Sequence, residues 1–294
     1  MINKQIAVGI GEILWDILPE GKKLGGAPAN FAYHATQFGL EGVVVSAVGN
    51  DDAGQEILNL LSARNIGHEI AILPYPTGTV EIELDPNGIP QYAIKENVAW
   101  DYIPFSTNMK AIASRTKVVC FGSLAQRTSL SRQTITAFLD GVARDEASII
   151  VFDINLRQSF YDTETIESSM KRCNILKLNN EELDVICSLL HINSTSPEEA
   201  CQELIERYGL KMLILTCGTS GSYVFSSDEM SYQPTPTVEV ADTVGAGDSF
   251  TAAFIAAIVK GSLIGEAHSI AVKTSAFVCT QKGAMPELPT DLID

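Results

Sequence analysis

Short apolar runs rich in β-branched residues recur along the chain, separated by stretches whose apolar positions follow helical spacing. The runs lie at residues 5–10, 43–48, 117–121, 148–154, 175–178 and 211–216. Helical spacing predicts helices over residues 51–65, 130–144 and 197–208. Runs such as Ile149-Ile150-Val151-Phe152 are apolar throughout, which is typical of strands covered on both faces. The alternation predicts an α/β fold, a three-layer α/β/α domain around a mostly parallel central sheet.

One stretch interrupts this alternation. Between residues 77 and 100, two strand-like segments flank Asp85-Pro86-Asn87-Gly88 without a helix between them, which predicts a β-hairpin. Residues 13–18 form a further alternating segment that could join the hairpin in a small sheet. Two placements fit the pattern equally well: a separate lid over the ligand-binding edge of the main sheet, or an addition to the edge of that sheet.

Length and composition describe a chain that can bury a substantial core. Of its 294 residues, 46% are hydrophobic, and length alone suggests one or two domains. No repeat, linker or low-complexity tract divides the chain, and the hairpin is too small to fold alone. We therefore predict a single domain over residues 1–294, with the β-hairpin lid formed by residues 73–104 together with 13–24.

The charge balance excludes several classes of partner. The chain has 36 Asp and Glu against 20 Lys and Arg, a net charge of −16. Nucleic acids and anionic membranes are held chiefly by Lys and Arg, so we predict neither as a partner. The N-terminus lacks a signal-peptide pattern and no apolar run approaches the ~20 residues that span a bilayer, which predicts a cytoplasmic location. The cysteines lie mostly in apolar runs without a Cys-x-x-Cys pair, and the histidines are scattered, which predicts buried thiols and no zinc site.

Two glycine-containing segments fail as nucleotide-binding motifs. Gly9-Ile10-Gly11 begins like a dinucleotide fingerprint, but Leu14 stands where the third glycine belongs and a strand-like segment follows in place of a helix. Gly21-Lys22-Lys23 lacks the Ser or Thr that completes a Walker A loop. The sequence therefore favours neither a Rossmann oxidoreductase nor P-loop chemistry.

A third glycine loop, Gly245-Ala246-Gly247-Asp248, precedes an apolar helix. Small residues allow backbone N–H groups to converge at a helix N-terminus, where the dipole stabilises an anion such as a phosphoryl group. Asp248 in the same turn is placed to act as a general base beside that anion. A carboxylate here could instead only cap the helix, but capping does not require the preceding Gly-Ala-Gly.

A fourth loop, Gly25-Gly26-Ala27-Pro28-Ala29-Asn30, opens the helix that runs to Gly39. Its glycines would let a ligand approach the backbone, and the Asn30 amide can both donate to and accept from a polyol hydroxyl. A plain tight turn explains this loop equally well when it is considered alone.

Together, these two loops resemble the signatures of the ribokinase-like (PfkB) carbohydrate kinase family. The first is residues 25–30 and the second is Asp242-Thr243-Val244 followed by the Gly-Ala-Gly-Asp segment. The resemblance covers nearly the whole chain and implies the ribokinase-like fold. Four segments are most similar to bacterial fructokinases: residues 25–30, 97–101, 153–157 and 177–182.

The resemblance implies roles for residues at the phosphoryl-transfer and sugar ends of the site. It makes Asp248 the catalytic base and the backbone of Gly245, Ala246 and Gly247 the anion hole. It assigns the sugar hydroxyls to Asp16, Gly25, Gly26 and Asn30. Arg157 would contact the substrate or a phosphate, although a surface arginine after a strand explains it nearly as well.

The resemblance also implies a nucleotide and cation side. ATP would lie against Lys177, Asn179, Thr216, Gly218 and Gly221. Glu182 would hold Mg²⁺ through water, since Mg²⁺ usually keeps several waters in proteins. A monovalent cation such as K⁺ would bind beside the anion hole at Asp242, Val244 and Gly283, but Glu287 departs from the smaller residue that many relatives carry there.

The function implied is an ATP- and Mg²⁺-dependent sugar kinase, most similar to fructokinases that make fructose 6-phosphate. Ribose, 2-keto-3-deoxygluconate or a nucleoside are alternative acceptors on the same scaffold. A non-catalytic sugar-binding regulator is a second class of function. Relatives often dimerise through their lids, and Val80, Ile82 and Leu84 could support a homodimer, although packing against the core would explain these residues equally well.

Overall fold

The computed structural model describes residues 4–18, 21–84, 90–145 and 147–293, with backbone only at 82–84 and 90–92. The turn predicted at 85–88 lies outside the described residues. The strands are β1 Ile6–Ile10, β2 Leu14–Leu18, β3 Gly21–Gly25, β4 Glu41–Gly49, β5 Gly67–Leu73, β6 Gly78–Leu84, β7 Pro90–Ile94, β8 Thr116–Phe121, β9 Ile149–Asp153, β10 Ile175–Asn179, β11 Met212–Thr216, β12 Ser222–Ser226 and β13 Met230–Gln233. The helices are α1 Ala27–Gln37, α2 Asp52–Ala63, α3 Thr107–Ala113, α4 Ser129–Gly141, α5 Thr163–Met170, α6 Asn180–Leu190, α7 Pro197–Tyr208, α8 Ala246–Val259, α9 Ile264–Cys279 and α10 Thr290–Ile293.

Nine strands form the main sheet, in the order β13-β12-β11-β10-β9-β8-β1-β4-β5. Neighbouring strands run parallel except where β12 pairs with β11 and with β13. Alternate side chains enter opposite layers: Val8 and Val119 pack with helices α3 to α7, whereas Ala7 and Val118 pack with α1, α8 and α9. The predicted three-layer fold with a mostly parallel sheet is therefore confirmed.

The predicted hairpin belongs to a separate four-stranded sheet, in the order β3-β2-β6-β7. Strands β6 and β7 pair antiparallel, while β2 lies parallel to β6 and antiparallel to β3. The hairpin is therefore not an addition to the edge of the main sheet. Its function as a lid remains a prediction.

A buried ion pair anchors the base of the hairpin. The Arg127 guanidinium donates to both carboxylate oxygens of Asp101, at 2.7 and 2.8 Å, and to the Lys95 carbonyl at 2.6 Å. It also lies over the Trp100 ring, 4.0 Å from the ring centre. Within the segment 97–101, Trp100 and Asp101 thus have packing and charge partners at this junction.

Side chains that cap the helices explain where the helices begin. Asp51, Asn179 and Ser196 each accept a backbone N–H from the first turn of α2, α6 and α7. The helices predicted over 51–65, 130–144 and 197–208 correspond to α2, α4 and α7, with ends that differ by up to three residues. Fraying and cap geometry make such boundaries the least predictable part of a helix.

The prediction that the cysteines are buried is correct for only part of the set. Cys120, Cys173 and Cys201 are buried, but Cys187 and Cys279 in helices and Cys217 in the loop after β11 are half-buried. Burial raises the pKa of all six thiols. Within the described ranges, no cluster of His, Cys, Asp or Glu could hold a metal by itself, and no helix is both long and apolar enough to cross a bilayer.

Candidate active site

The polar residues of the candidate site gather at the carboxyl edge of the parallel sheet. Glu12 follows β1, and Asp153, Asn179 and Thr216 end β9, β10 and β11. Asn179 and Thr216 face each other in the register of β10 and β11. Crevices at this edge are where open α/β sheets bind ligands.

The predicted anion loop has a backbone that only glycine adopts easily. Gly245 precedes α8 with φ +79°, and a Cβ there would lie 2.7 Å from Ala284. The Ala246 N–H donates to the Thr243 carbonyl at 3.3 Å. The N–H groups of Gly247 and Asp248 stand at the second and third helical positions, which have no acceptor inside a helix. These two amides are therefore the ones best placed to meet an anion.

Asp248 lies beside this loop and contacts the glycine loop of residues 25–30. Its Oδ2 accepts a hydrogen bond from Asn30 Nδ2 at 2.7 Å, although the two residues are 218 positions apart. Burial raises the pKa of Asp248 to about 6, with the Asp153 charge adding to this, while Asn30, Lys177 and Arg157 oppose it. The Asn30 Oδ1 is buried and has no hydrogen-bond partner among the described residues. The fold therefore joins the predicted base to one predicted sugar ligand and leaves an acceptor that requires a donor.

Glu12 is a site residue that the sequence reasoning missed. The residue is 2% exposed, and its Oε2 has no hydrogen-bond partner in the part of the chain that the structure describes. Burial raises the pKa of Glu12 to about 7 and the Asp248 charge adds to this, while the amides of Glu12 and Ala27 and the Arg157 charge lower it. A Glu between two strands carries no sequence signal, since its enclosure depends on α1 and α8.

The small sheet supplies the other predicted sugar ligands. Asp16 lies in β2, and its carboxylate sits where a Cβ of Gly25 would project. Gly26 has φ +110°, and a Cβ there would collide with the Glu12 carbonyl. Burial raises the pKa of Asp16 to about 6 and the Asp242 charge adds to this, while Arg157 and Lys23 oppose it. Gly25 is therefore required by close packing against the Asp16 carboxylate, and Gly26 by its positive φ and by close packing against the Glu12 backbone carbonyl.

Arg157 is exposed in a loop with unusual backbone geometry. Its guanidinium donates to the Leu156 carbonyl at 3.0 Å. Asn155 and Gln158, on either side of it, adopt φ +47° and φ +50°. Such conformations are uncommon outside glycine and cluster at functional sites. The charge of Arg157 influences Glu12, Asp16 and Asp248, so it faces the predicted sugar end.

A buried ion pair lies beneath the anion loop. Lys177 Nζ contacts both carboxylate oxygens of Asp153, at 3.0 and 2.8 Å. The Thr251 hydroxyl donates to the same carboxylate at 3.3 Å, and a Cβ on Gly247 would lie 3.2 Å from Lys177 Nζ. Burial alone would lower the pKa of Lys177, but the Asp153 charge and hydrogen bonds outweigh it and raise the pKa. Asp153 is a second residue that the sequence reasoning missed, because it reads as the last residue of a strand.

Asn179 and Glu182 form a capping box at the start of α6. The Asn179 side chain accepts the Glu182 N–H at 2.8 Å, and Glu182 accepts the N–H groups of Asn179 and Leu156, both at 2.9 Å. Each Glu182 oxygen thus accepts one amide and keeps a lone pair for a further donor. This arrangement fits a carboxylate that receives a hydrogen bond from a Mg²⁺-bound water.

The predicted nucleotide loop lies farther along the same sheet edge. Thr216 ends β11, Gly218 begins a short 3₁₀ turn with φ +55°, and Gly221 has φ +103° and packs against β13. Thr235 donates to the Gly218 carbonyl. The strand register brings Thr216 next to Asn179, whereas Gly218 and Gly221 lie toward the antiparallel end of the sheet.

Of the three residues predicted to hold a monovalent cation, Asp242 already has a positively charged partner. The Asp242 carboxylate accepts the N–H groups of Val244 and Gly283, both at 3.1 Å, and the Lys23 ammonium at 3.1 Å. Oδ1 therefore accepts one N–H donor and Oδ2 accepts two, one of which carries a full positive charge.

Comparison with known proteins gives one family match. A model for the pfkB family carbohydrate kinases matches residues 20–291. An ATP-dependent 6-phosphofructokinase of Thermoanaerobacterium thermosaccharolyticum is 26% identical, over 98% of this chain and 92% of that protein. A fructokinase of Salmonella typhimurium is also 26% identical, over 95% of each chain.

Solved structures give the same fold. The structure of a fructokinase with bound ATP from Xylella fastidiosa superposes with a TM-score of 0.84 at 20% identity, covering 99% of this chain and 98% of that one. At this identity the likeness establishes the fold alone. It agrees with the nine-stranded sheet and the separate smaller sheet described above.

Proposed function

Because the chain belongs to the pfkB family of carbohydrate kinases, we propose that it phosphorylates the primary hydroxyl of fructose with ATP, giving fructose 6-phosphate. The family match establishes a sugar kinase. The choice of fructose rests on the resemblance of residues 25–30, 97–101, 153–157 and 177–182 to fructokinases.

One observation supports the phosphoryl-acceptor site above all others. Asp248 stands in the first turn of α8 beside two amides without helical acceptors. Asn30 and Glu12 next to it each hold a buried oxygen that no described residue contacts with a hydrogen bond. Buried acceptors without donors are costly, because each has lost water and gained nothing. The hydroxyl groups of a sugar are donors, so a bound sugar would satisfy both oxygens.

The chemistry then follows from the positions of these groups. With a pKa of about 6, Asp248 is mostly ionised at neutral pH and can take the proton of the sugar hydroxyl. The hydroxyl oxygen forms its bond to the γ-phosphorus of ATP while the bond from that phosphorus to the bridging oxygen breaks, and ADP leaves. The amides of Gly247 and Asp248 and the Lys177 ammonium would stabilise the negative charge on the transferred group.

The nucleotide and Mg²⁺ side of the proposal uses the next strands of the sheet. Lys177, Asn179, Thr216, Gly218 and Gly221 would contact ATP. Glu182 would hold Mg²⁺ through water. Bound Mg²⁺ supplies Lewis-acid neutralisation of phosphate charge. At a net charge of −16 the chain repels ATP at long range, so binding depends on these local groups.

Acceptors other than fructose are alternatives within the same family. Two relatives of equal identity carry the names of a fructokinase and a 6-phosphofructokinase, so identity does not separate their acceptors. Ribose, 2-keto-3-deoxygluconate and nucleosides also remain alternatives, as does a non-catalytic sugar-binding regulator. The intact anion loop with Asp248 favours an active kinase over the regulator.

Three further predictions belong to this proposal: a lid, a homodimer and a cytoplasmic location. Asp16 and Gly25 both lie on the small sheet, so closure of that sheet would bring sugar ligands to Asp248 and exclude water. A homodimer formed through the lids is testable by light scattering, where a mass near twice 31.7 kDa is expected.

The test is ADP release from ATP and Mg²⁺, measured over a panel of fructose, fructose 6-phosphate, ribose, 2-keto-3-deoxygluconate and adenosine. We expect the highest kcat/KM with fructose and little ADP release without an acceptor. A higher value with another acceptor would reassign the substrate. Sugar binding by calorimetry without turnover on any acceptor would favour the regulator.

A further inference from the structure

Lys23 links the small sheet to the loop that precedes the anion hole. It lies in β3, and its Nζ is 3.1 Å from Asp242 Oδ2, although the two residues are 219 positions apart. The side chains are 27% and 17% exposed, so water screens this pair only in part. The aliphatic stem of Lys23 passes over Gly283, where a Cβ would lie 3.5 Å from Lys23 Cδ.

The Asp242 carboxylate is held in its ionised form by its donors. Burial alone would raise its pKa, but hydrogen bonds from Val244, Lys23 and Gly283 outweigh burial and lower it. Asp16 lies opposite Lys23 in the register of β2 and β3. The Asp242 charge raises the pKa of Asp16 and the Lys23 charge lowers it. One ammonium therefore pairs with Asp242 and offsets part of the negative charge that Asp242 and Asp16 share beside the anion loop.

Backbone oxygens in the closing segment are also engaged by donors. The Ala284 carbonyl accepts from His34 Nε2 at 2.9 Å, and the Met285 and Pro286 carbonyls accept from Arg64 at 3.3 Å and Gln37 at 3.2 Å. A bound K⁺ requires several oxygens to replace its hydration shell. Three successive carbonyls here are instead turned toward α1 and the end of α2.

From these contacts we infer that the Lys23 ammonium is the resident cation of this loop, and that the protein does not require an activating monovalent ion. The ammonium supplies at Asp242 the charge that the family resemblance attributes to K⁺. The kinetic part of this inference rests on the proposed kinase activity, whereas the binding part concerns only the folded chain.

The binding part is tested by thermal unfolding in KCl and in tetramethylammonium chloride at equal ionic strength. The variants are Lys23→Met and the matched control Lys22→Met, since Lys22 lies on the same strand but pairs with Glu56 and stacks over Trp15. We expect wild type and Lys22→Met to unfold at the same temperature in both salts. Lys23→Met should gain about 2 °C in KCl, the shift for K⁺ at about ten times its dissociation constant.

The kinetic part compares kcat/KM in the same two salts. We expect no difference for wild type and at least about fivefold activation of Lys23→Met by K⁺. Several-fold activation of wild type by K⁺ would overturn the inference. It would also be overturned if K⁺ changes neither the unfolding temperature nor the kcat/KM of Lys23→Met. If no acceptor supports turnover, the proposed function fails, but the unfolding temperatures in the two salts still test the binding part of the inference.

If Lys23→Met does not fold, the inference is tested by wild type and by Lys23→Arg. For both proteins, we expect KCl and tetramethylammonium chloride to give the same unfolding temperature and the same kcat/KM.

Discussion

The buried pair of Asp153 and Lys177 allows a quantitative prediction. Their side chains are 7% and 8% exposed, and the ammonium contacts both carboxylate oxygens. Asp153→Asn keeps the shape but leaves the ammonium buried without its main counter-charge. Breaking such a pair from one side costs about 3–5 kcal/mol, because the remaining charge is uncompensated. Removing one partner should therefore strongly lower the free energy of unfolding, even if the intact pair adds little net free energy over two apolar residues.

The magnitude converts directly into a melting temperature. With an unfolding entropy of about 2.1 cal/mol/K per residue, 294 residues give about 0.6 kcal/mol/K. Asp153→Asn should then lower Tm by about 5–8 °C in a thermal unfolding experiment. The matched surface control is Lys171→Met, which removes an exposed pair with Glu167 at 3.7 Å and should lower Tm by less than about 2 °C.

A double variant separates the ion pair from other effects of the substitution. Asp153→Asn combined with Lys177→Met removes both charges and should recover at least half of the lost Tm, since the two residues are in contact and their effects are not additive. Lys177 lies against Gly247, so both single variants should also raise KM for ATP. A decrease in Tm of less than about 2 °C for Asp153→Asn would refute the reasoning.

Two further predictions concern the sugar end of the site. Because Asp248 must be ionised to accept a proton and its pKa is about 6, kcat/KM should fall as pH decreases through about 6. The neighbouring carboxyls of Asp16 and Glu12, with pKa values of about 6 and about 7, titrate in the same range. A profile that stays flat to pH 5 would contradict this prediction. Gly25→Ala would push its new Cβ against the Asp16 carboxylate, and we expect the KM for sugar to rise at least about tenfold with an unchanged KM for ATP. Gly265→Ala, at an open position in α9, is the control, and an equal effect on both KM values in Gly25→Ala would indicate general disruption instead.

The sequence contains enough to predict the layers of the fold and the positions of its glycine loops. Wholly apolar strands such as 149–152 and the helical spacing of α2 and α7 depend on local pattern, so they could be read directly. The placement of the hairpin could not, because a lid and an edge addition have the same alternation. It depends on the parallel pairing of β2 with β6, which joins segments about 60 residues apart.

The residues of the candidate site also divide into those that the sequence predicts and those that it does not. The loop before Asp248 carries a sequence signal, because helix capping alone does not require Gly-Ala-Gly before the aspartate. Glu12, Asp153 and Lys23 had no such signal, because each acquires its environment from a distant segment: α1 and α8 for Glu12, β10 for Asp153, and a loop 219 residues away for Lys23. Burial and charge pairing of this kind are tertiary properties, and spacing along the chain does not encode them.

The most direct test of the proposed chemistry is the Asp248→Asn variant assayed with ATP, Mg²⁺ and fructose. Asparagine keeps an acceptor for the Asn30 amide but cannot take a proton. We expect kcat to fall by about 10²–10⁴-fold, the range for a lost general base, while calorimetry finds fructose binding retained. The fold raises the pKa of Asp248 and so disfavours its charge at neutral pH; Tm should therefore not decrease. A variant that turns over fructose at the wild-type rate would contradict the assignment of Asp248 as the base.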